Sequence, residues 1–264
     1  MDACSKELAV TGENAKELRG TLRKDAFQSW CNLKYQGSGV IHFQTHVASN
    51  GFIYNKNTLS SSEWVSAIKL STNYANLNGV PGVSSTSNLC RRCNREIETI
   101  AHVTGSCSFN NSLITARHHS VKKWIIELLR EKGYECYEEV YAIDSDGRSR
   151  YSDIIAFDPK SRKAHIVDPT IRYETNNEKQ DEEICEEKSN IYSKCNPFYK
   201  EKYDASFGSR NWTVHGLFFG GRGSYGESVI NFFNEFKLDK NKLKELSELI
   251  LTKTIHIINQ HIYN

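Results

Sequence analysis

Apolar residues follow a regular pattern mainly downstream of residue 110. Over 112–132 they recur at helical spacing, which predicts a long helix that Gly133 can end. The apolar positions of this helix are Val121, Trp124, Ile125, Leu128 and Leu129.

Shorter apolar runs after this helix predict further strands and helices. The strands are predicted over 134–143, 151–157, 163–173 and 212–219, with Asp146-Gly147 as the turn between the first two. The helices are predicted over about 177–194, 225–236 and 240–261, and Pro197 is expected to stop the first of them. A meander of three strands followed by a helical crossover and a fourth strand predicts a mixed α/β (α+β) domain.

The first half of the chain has a less regular pattern. Residues 1–24 are charged and predict either a helix or an irregular start, while 31–57 mix glycine, asparagine and aromatic residues and favour irregular structure. Ser60 fits the N-cap of a short helix that extends to about residue 74. The glycine- and serine-rich stretch 79–87 predicts a linker.

A cluster of metal-ligand residues follows this linker. Cys90 and Cys93 are separated by two residues, His102 follows after eight more, and Cys107 after another four. Two short-spaced pairs of thiolate and imidazole donors are typical of a tetrahedral zinc site. The sequence therefore predicts that these residues bind one structural Zn²⁺, which would supply most of the folding free energy of so small a unit. The alternative is three unrelated cysteines beside a buried histidine.

The net charge of the 264 residues is only +2, but the charge is unevenly distributed. Residues 85–133 carry eight basic and four acidic side chains, a local charge of +4. Arg91, Arg92 and Arg95 lie between and beside the zinc ligands, where we expect them to contact phosphate. The sequence shows no signal peptide and no apolar run of membrane-spanning length. We therefore expect an intracellular, reduced protein that does not contact a membrane and whose clustered cysteines bind metal.

A second candidate site comes from the predicted strands. Asp153 and Asp168 lie on successive strands, and neighbouring strands can bring two carboxylates onto one hard cation such as Mg²⁺. Pro169 predicts that the second of these strands is bent or at an edge there. On the next helix Lys188 and Tyr192 share a face, from which the lysine can reach a phosphate or a water. Taken singly, these residues also fit a turn aspartate, a solvated charge and a core tyrosine.

The order of these motifs resembles the C-terminal part of the polyprotein of site-specific non-LTR retrotransposons that insert in ribosomal RNA genes. The matching segments are CRRC…H…C at 90–107, ARHHSVKKW at 116–124, RYSDIIAF at 150–157, HIVDPTIRYE at 165–174, KSNIY at 188–192 and VHGLFFGGRGSYG at 214–226. The resemblance covers about residues 28–262. In that family a CCHC zinc knuckle precedes a restriction-like endonuclease of the PD-(D/E)xK type.

The resemblance implies catalytic roles for residues of the second candidate site. Asp153 and Asp168 would bind the catalytic Mg²⁺. Lys188 would be the catalytic lysine, displaced onto a helix, with Tyr192 as its companion. The chain departs from the family at Ser152 in place of proline and at His119 in place of a smaller polar residue. Thr170 occupies the place of the usual lysine of the D-x-K element, but the family also tends to lack lysine there.

The resemblance also divides the chain into three parts. These are an N-terminal linker or helical region (1–84), the CCHC zinc knuckle (85–110) and a PD-(D/E)xK restriction-endonuclease-like domain (111–264). Arg117 and His118 match an Arg-His pair ahead of the family's core and are expected to contact nucleic acid.

The implied function is a Mg²⁺-dependent endonuclease that nicks double-stranded DNA in a ribosomal RNA gene. In the nucleus, the nick would prime reverse transcription by a parent polyprotein. That polyprotein would also bind the element RNA, and this chain would be a fragment or a remnant of it. One alternative is a non-catalytic zinc-knuckle remnant that binds nucleic acid. Another is a structural zinc protein that assembles through its C-terminal helices, where Ile250, Leu251, Ile255, Ile258 and Ile262 form an apolar stripe.

Overall fold

A computed structural model describes residues 14–54, 58–83 and 85–264. The helices are α1 (Ala15–Cys31), α2 (Gly51–Tyr54), α3 (Ser61–Ser71), α4 (Ile100–Gly105), α5 (Asn111–Glu131), α6 (Gln180–Tyr192), α7 (Asn196–Phe207), α8 (Glu227–Glu235) and α9 (Lys242–Tyr263). The strands are β1 (Glu135–Ile143), β2 (Ser149–Phe157), β3 (Lys163–Arg172) and β4 (Asn211–Gly220). None of these helices combines the length and the apolar character that crossing a membrane requires.

The four strands form one mixed sheet in the order β1-β2-β3-β4, which confirms the predicted mixed α/β class. β1, β2 and β3 are antiparallel neighbours, and β4 pairs parallel to β3. The parallel pair requires the long connection through α6 and α7, because parallel strands cannot be joined by a tight turn. Between β1 and β2, Gly147 has a φ of +80°, and Asp144 accepts hydrogen bonds from the backbone N–H groups of Asp146 and Arg148.

Both faces of the sheet are covered. Ile154 and Val167 enter a core formed with α5, α8 and the first half of α9. Their neighbours Ile155 and Ile166 enter a second core on the opposite face, formed with α6 and α7. The catalytic candidates on β2 and β3 therefore lie on strands that are fixed from both sides.

A third core joins the N-terminal part of the chain to α9. Ser60 caps α3 as predicted, because its hydroxyl accepts from the backbone of Glu63 while the Glu63 carboxylate accepts from the backbone of Ser60. The side chains of α3 and α4 then pack on Leu251, Ile255 and Ile258. The apolar stripe of α9 is thus covered by α3 and α4 as well as by the domain's own sheet. Most of it is buried within the chain.

A buried ion pair connects this N-terminal part to the end of the sheet. Arg222 and Glu174 are both almost fully buried, with Nε and Oε2 at 3.1 Å. The Arg222 guanidinium also donates to Asn73 Oδ1 at 2.7 Å and to the carbonyl of Ser38 at 2.9 Å. Removing one partner of such a pair costs about 3–5 kcal/mol, because the other charge stays buried alone. Residues 38 and 73 are therefore held firmly against the turn after β4.

The sequence analysis missed α7. Pro197 follows the end of α6 as expected, but it lies in the first turn of another helix, Asn196–Phe207. Proline is tolerated there because the first N–H groups of a helix have no intrahelical partner. The helix is held by Tyr199, which is fully buried and donates its hydroxyl to the carbonyl of Val140 at 3.0 Å. The predicted structure of residues 1–13, within the charged N-terminal segment, lies outside the described residues.

Candidate metal centre and carboxylate cleft

Two local elements carry the predicted zinc ligands. An isolated β-bridge between Leu89 and Ile97 closes a tight loop that holds Cys90 and Cys93. The short helix α4 carries His102, and the backbone N–H of Cys107 donates to the carbonyl of His102 at 2.9 Å. The four ligands therefore come from a tight loop, from α4 and from Cys107, two residues after the end of α4.

The donor atoms of Cys90, Cys93, His102 and Cys107 all lie within 4.8 Å of one another. The two sulfur atoms of Cys90 and Cys107 are 3.8 Å apart, and Cys93 Sγ is 3.3 Å from His102 Nε2. A tetrahedron with Zn–S bonds of about 2.3 Å and Zn–N bonds of about 2.0 Å has edges of roughly 3.5–3.8 Å. The cluster can therefore hold a metal ion such as zinc.

Side chains around the cluster orient the ligands. His102 Nδ1 is 3.1 Å from both the Glu96 carboxylate and the Ser106 hydroxyl, which leaves Nε2 free to face the sulfur atoms. This arrangement of carboxylate, histidine and metal position is common in zinc proteins. The sequence analysis named neither Glu96 nor Ser106, although Ser106 lies one helical turn after His102.

A histidine from the far end of the chain completes the surroundings. His261 on α9 has Nε2 at 3.6 Å from Cys90 Sγ and at 2.9 Å from the Glu98 carboxylate. Glu98 is fully buried and pairs with Arg91 at 2.8 Å. Burial alone would raise the pKa of Glu98, but hydrogen bonds from Arg91, Asn78 and His261 lower it to about 2. Glu98 is therefore ionised at neutral pH.

The environment of the thiols differs within the cluster. The backbone N–H of Arg95 is the main cause that lowers the pKa of Cys93 to about 7, so this thiol ionises readily. Burial raises the pKa of Cys107 to about 12. A bound metal would have to displace the Cys107 proton, since the thiolate is the ligand.

The carboxylate cleft forms where β2 and β3 separate. The antiparallel pairing runs from Phe157↔Ala164 to Ile154↔Val167 and ends there. One further step in the same register would place Asp153 opposite Asp168. Pro169 has no N–H to continue the ladder on this side. β3 is thus an interior strand, but from Asp168 onwards it no longer pairs with β2 and is locally an edge strand on that side. This agrees with the expectation, from Pro169, of a bend or an edge at this point.

A cavity of about 390 Å³ opens at this separation. Arg117, His118, Asp153, Asp168, Lys188 and Tyr192 are among the residues that line it, and we call it the carboxylate cleft. Lys188 Nζ lies 3.2 Å from Asp168 Oδ1, and the Thr170 hydroxyl donates to the same oxygen at 2.8 Å. His118 Nε2 lies 3.2 Å from Asp153 Oδ1. All four predicted catalytic residues therefore line one cleft.

Gly216 allows the lysine to approach. It lies on β4, where it pairs with Asp168 of β3 in the parallel ladder. A Cβ atom at Gly216 would come within 2.9 Å of the Lys188 Cβ and 3.0 Å of the Cys185 Cα. Only glycine therefore lets α6 pack this closely on β4, a role that the glycine-containing motif 214–226 does not reveal from spacing alone.

Burial and the charges of the cleft shift the pKa values of Tyr192 and His118. Burial, with the negative charges of Asp168 and Asp153, raises the pKa of Tyr192, whose hydroxyl donates to the carbonyl of Tyr151 at 3.1 Å. Burial alone would lower the pKa of His118, but its hydrogen bond to Asp153 and the two carboxylate charges outweigh burial and raise it. Tyr192 is therefore a hydrogen-bond donor rather than a base at neutral pH.

A charged pair beside the cleft escaped the sequence analysis. Glu139 on β1 would lie opposite Asp153 in the β1–β2 register and has a φ of +49°. Such a conformation is rare for a residue with a side chain and costs about 1–3 kcal/mol. The Glu139 carboxylate accepts a hydrogen bond from the buried ammonium of Lys122, which lies one helical turn after His118. The alternating pattern of β1 gives no signal of this strain.

The predicted phosphate-contacting arginines of the knuckle (85–110) have different surroundings. Arg91 is engaged by Glu98, and Arg92 donates to the carbonyl of His261 at 2.7 Å. The Arg95 side chain is exposed and makes no hydrogen bond or ion pair with the described residues. Arg95 is therefore the best placed of the three to contact phosphate, and that contact stays a prediction.

Arg117 lies in the protein interior rather than at its surface. It is 2% exposed and donates to the Thr254 hydroxyl and to the Thr104 carbonyl, both at 2.8 Å. Burial lowers its pKa to about 10, so it stays charged at neutral pH. Its Nε has no hydrogen-bond partner among the described residues. In this conformation Arg117 holds α5 against α9 and adds positive charge to the wall of the cleft.

Comparison with known proteins supports one part of the resemblance. No family model matches the chain. The chain is similar to the retrovirus-related Pol polyprotein from type-1 retrotransposable element R2 of Popillia japonica, with 25% identity over 122 residues. The matched segment is 46% of this chain and 25% of that protein. The chain is thus similar to a region of a non-LTR retrotransposon polyprotein, of whose length the match spans about a quarter.

Proposed function

We propose that this chain is a Mg²⁺-dependent endonuclease with a PD-(D/E)xK-like core, which nicks double-stranded DNA as part of a non-LTR retrotransposon polyprotein. The observation that supports this proposal most directly is the separation of β2 from β3, where Asp153, Asp168 and Lys188 line one cleft. The element order α5-β1-β2-β3-α6-α7-β4, with carboxylates on the second and third strands, also supports this core.

The two carboxylates suit the proposed cation. Mg²⁺ is commonly held by one or two carboxylates, with water and phosphate oxygens as its other ligands. Thr170 and Lys188 hold the Asp168 carboxylate from one side, and His118 holds Asp153 from another. When bound, Mg²⁺ would polarise the scissile phosphate and lower the pKa of an attacking water.

Lys188 would then act on the phosphate and the water, and Tyr192 would position the groups around them. The Lys188 ammonium is fixed by Asp168, so it can orient water and stabilise the negative charge that develops on the phosphate. Tyr192 keeps its proton and is held by the Tyr151 carbonyl, so it positions neighbouring groups rather than taking a proton. Arg117 adds a fixed positive charge close by.

The knuckle would bind a structural Zn²⁺ and hold the chain on DNA. Arg95 is an exposed cation of the knuckle whose side chain no described residue engages, and contacts of this kind bind the DNA backbone without reading the base sequence. In the parent polyprotein the nick would provide a 3′-hydroxyl that primes reverse transcription of the element RNA. We place this activity in the nucleus, with a ribosomal RNA gene as the target.

Plasmid nicking tests the proposal. The full chain should convert supercoiled plasmid to the nicked circle in Mg²⁺ or Mn²⁺ but not in a chelator. Asp153→Asn and Asp168→Asn should each lower the nicking rate by roughly 10³-fold or more. Asp25→Asn changes an exposed aspartate of α1 and is the matched control. DNA binding measured in parallel separates the alternatives, because salt-sensitive binding without any nick would instead establish a non-catalytic binding protein.

A further inference from the structure

Two histidines and a glutamate meet on the sheet face opposite the α6–α7 core. His165 on β3 and His215 on β4 have Nδ1 and Nε2 only 3.0 Å apart. One carboxylate oxygen of Glu235, the last residue of α8, and one ring nitrogen of each histidine all lie within 4.8 Å of one another. Residues from three elements that are distant in sequence therefore present donor atoms to one point.

The two imidazoles are held in a rigid aromatic surrounding. His165 is 2% exposed, and its ring centroid is 4.7 Å from that of Phe236. The ring centroid of His215 is 5.6 Å from that of Phe232. These contacts fix both rings, so little conformational entropy would be lost if an ion bound between them.

A simple hydrogen-bond network accounts for part of this arrangement. One histidine can donate to the other, and the Thr213 hydroxyl lies 2.8 Å from His165 Nδ1 and 3.3 Å from His215 Nε2. The network does not explain why the Glu235 carboxylate, which is otherwise exposed to solvent, lies beside the two histidines. His215 and Glu235 also line a cavity of about 430 Å³, which gives the cluster access to water.

We propose that His165, His215 and Glu235 form a second site for a divalent transition metal such as Zn²⁺ or Co²⁺. Two imidazoles and one carboxylate, with solvent as a further ligand, are an established donor set for such ions. The nitrogen–nitrogen distance is slightly shorter than the roughly 3.3 Å edge of a tetrahedral zinc site. An ion here would tie β3 and β4 to the end of α8. The site is independent of the proposed nuclease function and of the Cys/His cluster.

Metal counting on the intact chain tests this site. The chain is dialysed against Zn²⁺ in the presence of a large excess of Mg²⁺, so that Mg²⁺ rather than Zn²⁺ occupies the carboxylate cleft. Bound zinc is then measured by elemental mass spectrometry. The unmodified chain is expected to retain two zinc ions, whereas Glu235→Gln and His215→Ala are each expected to retain one. The matched controls Glu131→Gln and His256→Ala change exposed residues elsewhere and should retain two.

Co²⁺ spectra identify which ion is lost. A site with three thiolates gives strong sulfur-to-cobalt charge-transfer absorption, and a site of two histidines and one glutamate gives only weak visible bands. Glu235→Gln, an exposed and nearly isosteric change that should not disturb folding, is expected to remove the weak bands alone. The proposal is overturned if the unmodified chain retains a single ion, or if Glu235→Gln and His215→Ala both retain as much zinc as the controls.

Discussion

The Cys/His cluster and the carboxylate cleft both gather side chains that can hold a cation, but their surroundings differ. Around the cluster, side chains from a loop, from the residue after α4 and from α9 engage the ligands, and two of the three cysteines are fully buried. The cleft instead opens a cavity of about 390 Å³ between strands that have separated. Its Asp153 and Asp168 are hard oxygen donors beside a lysine.

This difference indicates different tasks. A closed set of soft ligands with completed outer contacts stabilises a fold, whereas an open set of oxygen ligands leaves positions for water and substrate. We therefore expect substitutions at the cluster to act on stability and substitutions at the cleft to act on chemistry. The following predictions are ordered from the largest expected effect to the smallest.

Cys107→Ser should lower the free energy of unfolding by at least about 4 kcal/mol in the presence of zinc, because the chain then loses most of the energy of metal binding. Chelation of zinc from the unmodified chain should have a similar effect. Chemical denaturation measures both. Cys195→Ser is the control, since Cys195 is equally buried but lies outside the cluster. An equal loss in the two variants would contradict a structural role of the metal.

Gly216→Ala should slow nicking by about 10²-fold, since the added Cβ pushes α6 and Lys188 away from Asp168, and a displacement near 1 Å costs that much. The change should leave zinc binding at the Cys/His cluster unaltered. Gly20→Ala adds a methyl group where no atom lies within 4 Å and serves as the control. A Gly216→Ala chain that nicks at the unmodified rate would remove Lys188 from the mechanism.

Glu98→Gln should destabilise the chain by about 2 kcal/mol, because it leaves the partly exposed Arg91 without its buried partner. Thermal or chemical denaturation measures the difference. Glu96→Gln, which changes a mostly exposed carboxylate, should cost little stability but weaken zinc binding by roughly 10-fold through His102. Equal stability losses in the two variants would mean that the buried contact of Glu98 contributes no more to stability than the exposed contact of Glu96.

Asp153→Asn should change the free energy of unfolding by less than about 1 kcal/mol while it abolishes nicking. The substitution removes a charge next to Asp168, which offsets the loss of the His118 contact. Denaturation and plasmid nicking on the same preparation make the comparison. A stability loss as large as that of Cys107→Ser would show that the cleft, like the cluster, supports the fold.

The amino-acid sequence by itself determined the local features. The helical spacing of 112–132 and the short apolar runs of the strands gave element boundaries within a few residues, because the spacing of apolar side chains reflects which faces are buried. The spacing of Cys90, Cys93, His102 and Cys107 predicted a metal cluster, since these ligands lie close together in the chain. Their roles, those of the cleft residues and the division into three domains stay predictions.

Only the tertiary structure decided which distant residues meet. His261 reaches Cys90 across 171 positions, and Arg222 reaches Ser38 across 184, distances in sequence over which no periodicity carries information. The same holds for α7. From the local sequence Pro197 predicts the end of a helix, whereas in the fold it lies in the first turn of α7, which Tyr199 holds against β1. Asp153 and Asp168 could be placed on adjacent strands from the sequence. The end of their ladder, and hence the cleft, depends on how β2 and β3 pair once the packed helices hold the sheet.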